Sequence, residues 1–315
     1  MYKVSFLIPV YNAAAFISNC LEHIVQSELE SSEYQIIAWD DGSKDNSFDI
    51  LQNYAIKYPN IVVKHADNRG VAAVRKELFA LAEGQYIWQC DADDYIETNN
   101  IKRIVDYAVK YDVDYCFFDY YSFDDKGRKT EQSVKFRNQI FTGFLWNKLF
   151  KAEFLRENNI TFKGDLYTGD DYIFNCLVYS CAKKRKYLPI YGYNYNYNPN
   201  SLTRDKSKAI KDVRSMLHCS DYLIEKYKKS NSRKQKIYWN CQILMNFIVV
   251  IRMTLRLDDK EATSILSELQ FKSNLTYGQG SFVSRMIGHP RMIEKCFLCY
   301  FVVSSKLNRL YVKIR

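Results

Sequence analysis

Over its first hundred residues the chain alternates short apolar runs with segments of helical spacing, and polar clusters follow the apolar runs. Residues 4–10 read as a buried strand ended by Pro9 and Asn12, and residues 14–27 carry Phe16, Cys20 and Ile24 on one helical face. Residues 34–39 read as a second strand, 46–58 as a helix, 61–64 as a third strand and 71–82 as a third helix. A fourth strand, 86–90, runs straight into Asp91-Ala92-Asp93-Asp94. Strict alternation predicts an α/β fold, a mostly parallel sheet with helices on both faces. Ligands gather outside the carboxyl ends of the strands in such sheets, so chemistry is expected where these polar clusters lie.

Beyond residue 100 the pattern is mixed. A helix is expected at 100–111, a strand at 114–120, a turn at Asp124-Asp125-Lys126-Gly127 and an apolar, aromatic block at 141–154. From Lys206 onward the spacing is helical. The nearest approach to low complexity is the tract from Tyr191 to Pro199, in which Tyr and Asn alternate. The net charge of +9 is uneven: residues 201–315 hold 22 Lys and Arg against 9 Asp and Glu, whereas residues 1–200 hold 23 against 27. The uncharged run 237–251 falls short of the roughly 20 residues that span a bilayer, and a buried helix is expected there. From Phe282 the chain mixes Arg285, Arg291, Lys295, Lys306, Arg309, Lys313 and Arg315 with apolar residues. Such a stretch either lies on an anionic membrane surface or packs as a helix with a solvated basic face. Nine scattered cysteines form no framework, and Cys296 and Cys299 lack the further ligands of a zinc site. The odd count suggests a reducing compartment, and a strand-like start with no leader pattern suggests the cytoplasm.

Asp91, Asp93 and Asp94 put three carboxylates in four residues, which repel unless a cation sits between them. Magnesium or manganese takes one or two such carboxylates and completes its shell with phosphate and water. A strand-end site of this kind suits the diphosphate of a nucleotide-sugar. A solvated acidic turn, or a cap on the following helix, accounts for the same residues. At another strand end stands Asp40-Asp41-Gly42-Ser43. A carboxylate there can accept the imide N–H of a uracil or bond ribose hydroxyls, or form an ordinary Asp-Gly turn that caps the next helix. In Pro9-Val10-Tyr11-Asn12 a tyrosine ring is offered for stacking on a nucleobase.

In order and spacing these stretches resemble the family 2 glycosyltransferases. The likeness rests on Phe6 to Asn12, on Trp39-Asp40-Asp41-Gly42-Ser43, on Asn68-Arg69-Gly70 with Val74-Arg75, and on Gln89 to Asp94. It continues through Trp146-Asn147-Lys148, Gly169-Asp170-Asp171-Tyr172 and Tyr191-Gly192-Tyr193 to Thr203, and is nearest to bacterial enzymes that build capsule, exopolysaccharide or lipopolysaccharide. The resemblance implies a GT-A nucleotide-binding sandwich over residues 1–203, with a nucleotide part at 1–98 and an acceptor part at 99–203. Residues 204–315 are then a basic helical extension.

By the same resemblance Pro9, Val10, Tyr11 and Asn12 border the uracil and ribose of a UDP-sugar, and Asp41 and Asp40 bond the base. Arg75 lies near the phosphates, and Asp91 and Ala92 reach the ribose. Asp93, with Asp91 and Asp94, holds Mn2+ or Mg2+. Trp146 and Lys148, with Asn147, line the acceptor side, and Asp171 or Asp170 is the base of an inverting transfer. The implied partners are the donor and a glycan acceptor riding on a lipid, with the C-terminal extension touching the cytoplasmic face of the inner membrane and no nucleic acid involved. One departure is visible: the family's Ala-Arg-Asn-x-Gly is replaced by Val74-Arg75-Lys76-Glu77-Leu78. His23, His65, His218 and His289 match no catalytic motif and are expected to be structural or exposed. Two other classes compete. One is a non-catalytic binding protein of the same fold, against which the intact Asp91, Asp93 and Asp171 argue. The other is a nucleotidyltransferase, which would carry a glycine-rich basic loop where this chain has Tyr11-Asn12-Ala13-Ala14-Ala15.

Overall fold

The computed structural model describes residues 1–134, 143–199 and 208–277. The expected alternation appears as β1 (Val4–Val10), α1 (Ile17–Val25), β2 (Tyr34–Asp40), α2 (Ser47–Lys57), β3 (Ile61–His65), α3 (Val71–Leu81) and β4 (Tyr86–Gln89). β1 pairs in parallel with β2 and β4, and β2 in parallel with β3. Five of the seven β1 residues (Val4, Phe6, Leu7, Ile8 and Val10) form buried core, which is why this strand reads as a continuous apolar run. The register sets Val10 beside Asp40 and Asp40 beside His65, so three strands end on one rim.

The second half follows different rules. β5 (Tyr95–Ile96), α4 (Thr98–Tyr111), β6 (Tyr115–Phe123), β7 (Lys129–Gln132), β8 (Lys148–Lys151), α5 (Ala152–Glu157), α6 (Asp170–Cys181) and β9 (Arg185–Tyr195) complete the sheet region. Among the described residues the sheet order is β3-β2-β1-β4-β8-β6-β9-β5, with β7 on β6. β8 is antiparallel to both β4 and β6, so the sheet is mixed and the parallel expectation holds for its first half. No helix separates β6, β7 and β8 among the described residues, and a crossover helix is what parallel neighbours need. β9 has no counterpart among the expected strands, and its last five residues lie in the Tyr-Asn tract. It pairs in parallel with β6 and antiparallel with β5.

The chain divides into two compact units, one of Met1–Asp165 with Phe174–Ser201, the other of Leu166–Ile173 with Leu202–Arg315. The second contains α7 (Ala209–Lys228), α8 (Arg233–Thr254) and α9 (Asp259–Tyr277). α8 contains the uncharged run and buries Tyr238, Trp239, Ile243, Phe247, Val250 and Ile251, as a packed helix should. No helix among the described residues is long and apolar enough to cross a membrane. The basic stretch from Phe282 and the Cys296–Cys299 pair lie outside the described residues.

Candidate functional site

Three loops at the carboxyl ends of β1, β2 and β3 are laced together by hydrogen bonds. The Asn12 N–H donates to Ser43 Oγ at 2.9 Å, and the Lys44 N–H returns to Asn12 Oδ1 at 2.8 Å. The Ala13 N–H reaches Ser47 Oγ at 2.8 Å and the Ala14 N–H reaches Asp45 Oδ2 at 3.0 Å. Asn12 adopts the left-handed region (φ 49°), which a short polar side chain tolerates. Gly42 (φ 71°) has a stricter reason: a Cβ there would stand 2.9 Å from the backbone nitrogen of Asn68.

The two aspartates of β2 and its loop are spent inside this lacing. Asp40 is 0% exposed and accepts from the Ser43 N–H and from His65 Nδ1 at 2.8 Å. Its Oδ1 is buried without a hydrogen-bond partner among the described residues. Asp41 is 4% exposed. Its Oδ1 accepts the Arg69 N–H and its Oδ2 the Gly70 N–H, both at 2.8 Å, while its own N–H donates to Val10 O. The carboxylate thus clamps the Asn68-Arg69-Gly70 loop. Tyr11, by contrast, is 49% exposed. It offers its ring at the rim, next to the buried Val10, while Pro9 sits within β1.

The acid turn lies at the end of β4. Arg75, from α3, donates to Asp91 Oδ1 at 3.3 Å, and Gln89 Nε2 donates to the same oxygen at 2.6 Å. This pair joins the third motif to the fourth. Ala92 is buried and Asp93 is half-buried. Asp94 turns inward: its Oδ2 accepts from Tyr193 OH at 3.0 Å and its Oδ1 from the Asn196 N–H at 2.7 Å. The Asp91 N–H donates to the same Tyr193 hydroxyl at 3.0 Å. Among the described residues no three metal-ligating side chains converge as a cage.

Burial first, and then the charges of Asp91 and Asp93, push the Asp94 carboxyl well above its ordinary value of 3.8. Between that value and the raised one the folded chain binds more protons than the unfolded chain, so stability falls as pH rises. Asp94→Asn removes this burden. In EDTA, its melting temperature should exceed that of the wild type at pH 8 by more than at pH 5, each kcal/mol counting for about 2–4 °C. A gap independent of pH would show that the carboxyl carries no such burden.

Trp146 and Lys148, from the acceptor side of the sequence motif, are both buried. Trp146 stacks on Phe144 and on Tyr193, each at 4.5 Å. Lys148 Nζ donates to Phe144 O and to Asn147 Oδ1. Asp170 and Asp171 open α6, in the second unit. Asp170 is 3% exposed, whereas Asp171 is half-buried and its Oδ1 accepts the Tyr172 N–H at 2.7 Å. Gly169 before them (φ 85°) has room for no side chain, since a Cβ would meet Met216 Sδ at 2.7 Å.

His65, expected to be structural or exposed, is a half-exposed partner of the buried Asp40. Tyr193 stood in a stretch of the resemblance, but sequence reasoning gave neither it nor Asn196 and Asn198 the task of holding the acid turn. For Asn196 and Asn198 the available signal was the Tyr-Asn alternation itself.

The model for glycosyl transferase family 2 matches residues 5–176, more than half of the chain and all four strand-end motifs. The chain belongs to that family. A poly(ribitol-phosphate) beta-glucosyltransferase of Bacillus spizizenii is 33% identical over 200 residues, which cover 61% of this chain and 32% of that protein. The chain thus spans about a third of that relative's length. The crystal structure of Staphylococcus aureus TarS 1-349 in complex with UDP-GlcNAc shares the fold, with a TM-score of 0.74, 16% identity and coverage of 98% of this chain and 92% of that one. A Pyrobaculum calidifontis mannosyltransferase in complex with GDP-Man and Mn2+ shares it at a TM-score of 0.58 and 14% identity, covering 97% of this chain and 86% of that one. The GT-A type of fold expected from the motifs is therefore present, with a helical C-terminal region.

Proposed function

We propose that this family 2 member transfers a sugar from a UDP-sugar to a glycan hydroxyl with inversion, in the making of a bacterial surface polysaccharide, and that a divalent cation assists. The observation that carries the reading is the meeting of four separated motifs on one strand rim. Three are laced loops, and the Arg75–Asp91 pair ties them to the acid turn. Tyr11 is the exposed ring for the base, and the clamp by Asp41 shapes the loop beside it. The TarS complex with UDP-GlcNAc supports a uridine donor.

The acid turn fits a cation held by one or two carboxylates and a diphosphate, not by three. Asp93 is half-buried, and among the described residues its carboxylate accepts from Asn198, at Oδ2. Asp91 stands beside it, whereas Asp94 is buried and each of its oxygens already accepts a hydrogen bond within the fold. Asp93 and Asp91 would therefore hold Mn2+ or Mg2+. When bound, the cation neutralises charge on the leaving diphosphate. Arg75 adds a fixed positive charge near the same group. Asp171 takes the proton of the acceptor hydroxyl as that oxygen attacks the anomeric carbon opposite the departing diphosphate, so no covalent intermediate forms. Trp146 and Lys148 act on the acceptor from beneath, since both contact Phe144, which is exposed. Residues 1–203 carry the reaction. The basic stretch from Phe282 meets an anionic membrane surface, where a lipid-linked acceptor is found.

The test is nucleotide release from a panel of UDP-sugars, with GDP-mannose as a comparison, in Mn2+ and an acceptor extract. Release of UDP from one donor, lost in EDTA, is expected. No release from any donor would sink the reading.

A further inference from the structure

The Tyr-Asn tract has a task that the family motifs do not assign. β5 pairs antiparallel with β9, Tyr95 opposite Asn194 and Ile96 opposite Tyr193. Residues before Tyr95 therefore run alongside residues after Asn194, which lays the acid turn against Asn196 to Asn198. The contacts follow from this register. The Asn196 N–H donates to Asp94 Oδ1, Asn196 Nδ2 donates to the Asp93 carbonyl at 2.9 Å, and Asn198 Nδ2 donates to Asp93 Oδ2 at 2.8 Å. A tyrosine of the tract does complementary work, since the Tyr193 hydroxyl bridges Asp94 and the Asp91 N–H.

A carboxylate that must meet a cation and a diphosphate gains from being held in one rotamer beforehand, because the ordering cost is then met in folding rather than in binding. An amide N–H on one oxygen does this and leaves further acceptor capacity, since a carboxylate has about four lone-pair sites. We propose that Asn198 is a positioning residue of the donor site, its side-chain amide holding the Asp93 carboxylate in the orientation that receives a divalent cation and the donor's diphosphate. The assignment rests on the metal-assisted reading given above. It adds a part of the chain, 105 residues away from Asp93, to the donor machinery.

The test measures UDP affinity by calorimetry, with MnCl2 and with EDTA, in four proteins: wild type, Asp93→Ala, Asn198→Ala and Asn198→Gln. The readout is the gain in affinity that Mn2+ produces. Asn198→Ala should lower that gain by about tenfold, as expected for loss of a hydrogen bond to a charged group, and leave affinity in EDTA unchanged. Asn198→Gln, which keeps the amide on a longer stem, should restore part of it. A merely structural asparagine would lower the melting temperature and affect both affinities alike, or neither. If Asp93→Ala loses the gain while Asn198→Ala keeps it, the assignment of Asn198 is overturned and the metal reading stands. If Asp93→Ala keeps the gain, or the wild type has none, the metal reading fails and takes the assignment with it. Should Asn198→Ala not fold, Asn198→Asp carries the same test. That variant keeps the size but adds a carboxylate able to bind the cation, so it is read beside Asn198→Leu, which keeps the size and has no N–H for Asp93. In Asn198→Leu the gain must fall as far as expected for alanine, and a gain kept there overturns the assignment.

Discussion

Asp171→Asn should leave UDP affinity nearly unchanged and lower sugar transfer by about 10²–10⁴-fold, the range that a positioned general base contributes. The substitution is close to isosteric. Asp171 Oδ1 accepts the N–H of its neighbour Tyr172 at 2.7 Å, and an asparagine carbonyl oxygen can accept the same bond. The side chain keeps its size at the first turn of α6 and loses its charge, and with it the capacity to take a proton. Its neighbour is a poorer candidate. Asp170 is nearly sealed from solvent, whereas Asp171 is half-buried and can be reached. Full transfer by Asp171→Asn, with transfer lost in Asp170→Asn, would move the base to Asp170. Binding and turnover must be measured on the same preparations, because a drop in both would point to a damaged helix start. The close approach of Gly169 to Met216 and Cys219 makes that start sensitive to repacking.

The second large effect concerns Asp41, and it separates two accounts of one residue. The motif suggests a carboxylate that bonds the uracil. The geometry has both of its oxygens accepting backbone N–H groups, from Arg69 and from Gly70. Asp41→Asn keeps one acceptor and turns the other into an NH2 that faces an N–H donor. A buried donor left unsatisfied costs about 1–3 kcal/mol, which for a domain of this size is a fall of roughly 2–12 °C in melting temperature. UDP affinity should fall too, because the freed loop is part of the rim. Thermal melts and calorimetry of this variant decide between the accounts. Lost UDP affinity with an unchanged melting temperature would mean that the carboxylate serves the ligand and not the loop.

Much of this was open to reading in the linear chain, and the parts that were not share a cause. Strand and helix positions through β4 follow from local periodicity, because a run such as Val4 to Val10 is buried on both faces wherever it is placed. The acid turn could be located because three carboxylates at a strand end are conspicuous by themselves. β9 could not, because Arg185, Lys186 and Pro189 break its first half, Tyr, Asn and Gly in its second half carry little apolar signal, and its inward residues meet partners about a hundred positions away. The antiparallel β8 was missed as a strand because its four residues lie within a longer aromatic block.

The sequence by itself determined the family, the α/β alternation and which carboxylates stand at strand ends, because these depend on residue type, local period and motif order. Tertiary structure alone decided what each carboxylate does with its lone pairs. Asp40 and Asp41 spend theirs on His65, Ser43 and the Arg69–Gly70 loop, Asp94 spends its own on β9 and the residue that follows it, and Asp93 stays half-buried under the hand of Asn198. The physical reason is that a hydrogen bond needs its partner within about 3 Å in space. Sheet register, which no local pattern encodes, is what brings partners from distant parts of the chain to that distance.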